Sequence, residues 1–188
     1  MSKVLKFGGK SLASLHTNNN LLNIIANYLE TSSLIIVVSA IGNTTDLLLE
    51  LLEKAKENKH ADHLQELKTL NFYPQINTEE HFKLIENILQ GVSLIQDYSP
   101  KVQDLLLAQG ELISSKVVTQ LLSNQGLQAT FVNSTQLIKT DAYFTAANVN
   151  ETLTELADQR EFEKLADKKL IVLGGFIGST AENDITTL

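Results

Sequence analysis

The chain has 188 residues, of which 43% are hydrophobic and 20% charged, with a formal net charge of −7 and no cysteine. This composition suits one globular domain with a well-buried core, while its acidity argues against nucleic acid or an anionic membrane as partner, so an anionic ligand needs a local positive pocket. The missing cysteines exclude disulfides, thiolate metal sites and a cysteine nucleophile; with no signal-peptide pattern and no run of about eighteen apolar residues, a cytoplasmic protein is expected.

The first predicted element is a strand over residues 4–7, which ends in Gly8-Gly9 and gives way to a helical pattern. In Lys6-Phe7-Gly8-Gly9-Lys10-Ser11 the paired glycines let backbone amides approach an anion. Lys6 supplies a mobile point charge, and the start of a helix adds its positive end, so the segment has the parts of a phosphate cradle. Gly9-Lys10-Ser11 looks like the tail of a P-loop, but that motif needs a glycine five residues before Gly9, where this chain has Val4. Taken alone, the segment also fits a plain strand-to-helix turn with solvated lysines.

Leu21, Leu22, Ile25 and Leu29 fall at helical spacing, and residues 34–38 form a continuous apolar run suited to a strand covered on both faces. The loop after it, Ser39-Ala40-Ile41-Gly42-Asn43-Thr44-Thr45, leads into a helical stretch over residues 47–55. Ligands of open parallel sheets gather at the C-terminal strand ends, so this loop faces the same crevice as Lys6 to Gly9. Ser39 offers a hydroxyl, Gly42 an amide for phosphate, and Thr45 a hydroxyl beside a helix N-terminus for a carboxylate. Capping of the helix by Thr44 or Thr45 explains the same residues without a ligand.

Two further helical stretches lie within residues 61–98, separated near Pro74 and closed before Pro100, and the region from about 59 to 100 reads as a helical elaboration between sheet units. His60 and His63 sit three apart there, but without a carboxylate at matching spacing a solvated helix face explains them better than a metal site. Val102, Leu106, Ile113, Val117 and Leu121 mark a long helix that ends near Gly126. Gly110 inside it weakens the helix unless some group approaches closely, and Glu111 shares a face with Leu107, Ser114, Ser115 and Val118. A shielded carboxylate at that position suits the ammonium group of an amino acid; a solvated glutamate is the alternative.

Strands are predicted at residues 130–132 and 170–173, the second followed by Gly174-Gly175-Phe176-Ile177-Gly178-Ser179-Thr180, where Phe176 offers an apolar wall to a small ligand. The alternation of strands and helices predicts an α/β fold, a mostly parallel open sheet with helices on both faces.

Together the segments KFGGKS, VVSAIGNTTDLLLEL, AQGELISSKV, LIKTDAYFTAANV and GGFIGSTAENDITTL resemble, in order, the catalytic domain of aspartate kinases in the amino acid kinase superfamily. The region of weak match is 59–101. The resemblance implies transfer of the ATP γ-phosphoryl group to the side-chain carboxylate of L-aspartate, assisted by Mg²⁺, as the first step towards lysine, threonine and methionine. It implies that Lys6 holds the phosphates and stabilises charge in transfer, that Gly8, Gly9 and Gly42 line the phosphate path, and that Ser39, Thr45, Glu111 and Phe176 surround aspartate. SAIGNTTD and GE favour aspartate over glutamate, acetylglutamate, carbamate or a nucleotide as acceptor.

The chain departs from the family pattern in two places. Threonine is usual where Lys10 stands, and the pattern continues past TTL into a glycine-rich GRGGSD segment, whereas this sequence stops at Leu188. Residues 1–188 are therefore expected to be the N-terminal part of such a domain, inactive by itself and belonging to a homo-oligomeric parent. Its only arginine, Arg160, falls in a helical stretch away from every proposed loop, although two substrate carboxylates would favour arginine's bidentate fork. The alternative is a non-catalytic binding or assembly module on the same scaffold.

Overall fold

The computed structural model describes residues 2–16 and 20–188. Strands β1 (Ser2–Phe7), β2 (Ser33–Val38), β3 (Ala129–Phe131) and β4 (Leu170–Gly174) form one sheet in the order β1-β2-β4-β3, with every pairing parallel. Helices α1 (Gly9–Ala13), α2 (Asn20–Leu29), α3 (Thr44–Lys56), α4 (Ala61–Leu70), α5 (Glu79–Ile95), α6 (Pro100–Asn124), α7 (Ser134–Leu137) and α8 (Glu151–Lys164) connect or elaborate the strands.

The register decides which side chains share a face. Ile36 pairs with Val172 and Leu34 with Leu170, so these four lie on one face, where they join Leu22, Ile25, Leu48, Leu52, Leu106 and Val117 in the main core. Ile35 and Ile171 lie on the other face, packed with Val132, Leu137, Ile138 and Leu165. Helices therefore cover both faces at the β4 and β3 side. At β1 the second face is open: Val4, in register with Ile35, is 64% exposed, and Lys6, two residues on, is exposed as well.

The long α6 starts with Ser99 as its N-cap, whose hydroxyl accepts from the Val102 amide, and with proline in its first turn. Its N-terminal half carries a buried carboxylate that no motif announces. Asp104 is fully buried; its Oδ2 accepts from the amides of Thr145 (2.9 Å) and Thr187 (3.0 Å), and its Oδ1 accepts from the Thr187 hydroxyl at 2.7 Å. This ties α6 to a short antiparallel ribbon, β5 (Ile177–Ser179) and β6 (Ile185–Thr187), which the sequence pattern did not predict.

Candidate functional site at the strand ends

Because β1, β2 and β4 are neighbours and run the same way, the loops that leave their C-terminal ends lie side by side. Backbone hydrogen bonds join them. Ser39 N–H donates to Phe7 O (3.1 Å), Gly42 N–H to Gly9 O (3.0 Å), and Gly175 N–H to Val38 O (2.8 Å). The requirement for glycine is steric at Gly9, where a β-carbon would sit 2.6 Å from the Ala40 carbonyl oxygen, and conformational at Gly42, whose φ is +59°. Gly8 differs from both, since nothing lies within 4 Å of the position its β-carbon would take. The space beside Gly8 is open, and the side chain of Lys6, exposed two residues earlier, makes no hydrogen bond or ion pair among the described residues.

The helix after Gly8-Gly9 is shorter than the pattern suggests. α1 has five residues and runs into a single 3-10 turn, so it adds little dipole to the cradle. The longer α3 makes the stronger helix terminus. Its N-cap is Asn43, with no side chain capping it, so neither Thr44 nor Thr45 acts as the cap. The Thr44 hydroxyl instead accepts from Asn71 Nδ2 at 2.9 Å, while Thr45 is half-buried in the first turn.

Glu111 enters this end of the sheet from α6. It is 2% exposed, on a face shared with the apolar Leu107 and Val118 and the polar Ser114 and Ser115, all of them buried. Its Oε1 accepts from the Ala40 amide at 3.2 Å, whereas its Oε2 is buried with no hydrogen-bond partner. Burial raises its pKa from 4.5 to about 7, against the smaller opposing effect of the Ala40 amide. The solvated alternative for this glutamate is thereby overturned. Glycines make the approach possible: a β-carbon at Gly110 would lie 2.9 Å from Ala40 Cβ, and one at Gly174 would lie 2.9 Å from Glu111 Cβ.

Phe176 stands just beyond β4 with φ at +65°, a left-handed conformation uncommon for a bulky side chain, and is 40% exposed. Its carbonyl accepts from Leu188 N–H at 2.9 Å. Topology thus gathers Ser39, Gly42, Thr45, Glu111 and Phe176 at one end of the sheet, with Glu111 on the helix-covered face. Lys6 lies on the opposite, open face. Arg160 is exposed on α8, away from these loops. No group of three or more histidine or acidic side chains fit to hold a metal occurs among the described residues, and none of their helices is long and apolar enough to cross a membrane.

A parallel α/β sheet with glycine-rich loops converging at its strand ends is an architecture that suits binding of a small ligand there. Comparison with known proteins gives the family: the model of the Amino acid kinase family matches residues 1–187, and the chain belongs to that family. It is 28% identical over 194 residues to the lysine-sensitive aspartokinase 3 of Escherichia coli, covering 98% of this chain and 42% of that protein. It is 25% identical to the chloroplastic aspartokinase 1 of Arabidopsis thaliana, covering 93% of this chain and 33% of that one. The structure of E. coli aspartokinase III in complex with aspartate and ADP superposes with a TM-score of 0.85 at 28% identity, over 98% of this chain and 43% of the other. The chain therefore spans between a third and about two fifths of the length of these relatives.

Proposed function

We propose that this chain carries the phosphate cradle and the amino-acid site of an aspartate kinase. In the reaction an oxygen of the aspartate side-chain carboxylate attacks the γ-phosphorus of ATP, the bond from that phosphorus to the ADP oxygen breaks, and 4-phospho-L-aspartate and ADP leave. Positioning and charge neutralisation supply most of the catalysis in such transfers. Lys6 would neutralise phosphate charge. Gly8, Gly9 and Gly42 would let phosphate oxygens approach the backbone; the open space at Gly8 and the exposure of Lys6 fit that task. Mg²⁺ would be carried largely by phosphate oxygens and would neutralise their charge.

The observation that carries the reading is Glu111. A carboxylate 2% exposed with one oxygen unpartnered is costly unless a cation completes it, and the ammonium of an amino acid is such a cation. Thr45 at the uncapped start of α3, with Ser39, would receive substrate carboxylate oxygens, and Phe176 would wall the site. Since Glu111 and Lys6 lie on opposite faces, aspartate would approach from the α6 side and ATP from the open side beside β1, meeting over the strand ends. The aspartate and ADP named with the E. coli relative support the same pair of ligands.

Calorimetric titration with L-aspartate and with succinate, which lacks the ammonium, tests the site: binding of the first and not the second is expected, and equal binding of both refutes it. A coupled assay of ADP release with aspartate, ATP and Mg²⁺ tests turnover. The second reading, a binding or assembly module on this scaffold and in a homo-oligomeric parent, is favoured by Arg160 standing exposed in α8, and binding without turnover supports it.

A further inference from the structure

We propose that Asn71, in the helical elaboration, is a positioning residue for the amino-acid site: it fixes Thr44, and through Thr44 the seating of the residue 39–45 loop against α6 beside Glu111. The elaboration is not a remote ornament. Asn71 follows the last turn of α4 and is fully buried. Its Nδ2 donates to Thr44 Oγ1 at 2.9 Å and to Leu67 O at 3.0 Å, so both of its N–H groups are committed. Its Oδ1 is buried with no hydrogen-bond partner. An orphaned amide oxygen costs stability, so this asparagine is a poor choice for packing alone.

The hydrogen bond to Thr44 has a consequence on the far side of that residue. Thr44 is fully buried and β-branched, so holding its hydroxyl also fixes its methyl group. That methyl rests on Gly110, where a β-carbon would be 3.2 Å away from it. The neighbouring Leu70 covers Gly42, with its Cδ1 3.5 Å from where a β-carbon would stand. The end of α4 therefore presses the loop onto α6 one residue before Glu111. A second contact comes from α5, where His81 Nδ1 pairs with Gln109 Oε1 at 2.9 Å. The Ala40 amide reaches Glu111 at 3.2 Å, near the long end of hydrogen-bond range, so a small shift of the loop breaks it.

The experiment needs no turnover. Glu111 is followed by carbon NMR of its carboxyl group in the full chain, in the wild type, in Asn71→Ala and in Thr44→Val, which removes the acceptor but keeps the volume. Release of the loop admits water, and the Glu111 midpoint is expected to fall from about 7 towards the ordinary carboxylate range in both variants. Glu111 faces no other titratable group in the loops packed against it: the residue 39–45 segment, Gly174-Gly175 and its α6 neighbours Ser114 and Ser115 carry none. An unchanged midpoint in a folded Thr44→Val overturns the proposal, even if both variants lose stability. The role in the amino-acid site rests on the function proposed above and is read separately by calorimetry, where L-aspartate is expected to bind about tenfold more weakly to either variant. Absence of aspartate binding by the wild type would sink that function while the NMR midpoint still decides the role of Asn71.

Discussion

The Gly42 amide donates to the Gly9 carbonyl at 3.0 Å, and the space between the two loops admits no β-carbon at position 9, which would come within 2.6 Å of the Ala40 oxygen and 2.8 Å of the Gly42 oxygen. Both obstacles are backbone, so neither can swing aside. Gly9→Ala is expected to cost about 2 kcal/mol of stability. Gly8→Ala, into open space, should stay within about 0.5 kcal/mol of wild type. Urea unfolding of the two variants makes the comparison, and equal midpoints would show that the loops do not clasp.

Glu111 gives the chain a pH dependence with a definite sign. Its folded pKa is raised from 4.5 to about 7, so the folded state holds a proton that the unfolded state releases. The associated stability is fully present below the unfolded value and is lost as pH rises through the folded one, on the order of 3 kcal/mol between about 4.5 and 7. Glu111→Gln should flatten that slope in denaturant melts across the window. Ammonium binding favours the ionised form, so affinity for L-aspartate should increase with pH up to about 7 and level off above. A flat affinity profile would remove Glu111 from the site.

Lys6 separates binding from stability. Its side chain is exposed on the open face of β1, so Lys6→Ala should shift unfolding by less than about 0.5 kcal/mol. Its effect should appear in binding of ATP, weakened by about tenfold or more, with a shallower dependence on salt. Fluorescence titration with a labelled ATP analogue measures it, and unaltered affinity assigns the phosphates elsewhere.

Asp104 is the reverse case, a charged group with a structural task. Removing the carboxylate in Asp104→Ala strands the amides of Thr145 and Thr187 and the Thr187 hydroxyl, and should cost about 3 kcal/mol. Hydrogen exchange should rise first in β5, β6 and residues 141–149. Exchange that rises equally throughout the chain would contradict a local clasp.

The sequence announces those parts of the molecule whose chemistry is local. Gly8-Gly9 directly follows β1, Gly42 lies in the loop after β2 and Gly174-Gly175 closes β4, and the parallel sheet itself was legible in the apolar runs at 34–38 and 170–173. What escaped is set by distant contacts. β5 and β6 have three residues each, too short for an alternating pattern, and β6 is held through Thr187 by Asp104, 83 residues earlier in the chain. Asn71 looks like an ordinary helix-ending residue until Thr44 is brought to it. The face of α6 that shields Glu111 was readable, but its burial depends on Ala40 and Gly174, which only folding brings together.

The placing of β4 between β2 and β3 bears on how the protein is made. The ribosome delivers β1, β2 and β3 before the strand that joins β2 to β3, so a growing chain short of residue 170 has a gap where the sheet needs its centre. Glu111, translated long before Gly174, waits without the surface it packs against. During synthesis the half-made sheet exposes the unpaired edge of β2 and the apolar side of α6, and that interval is where a chaperone would have most to protect.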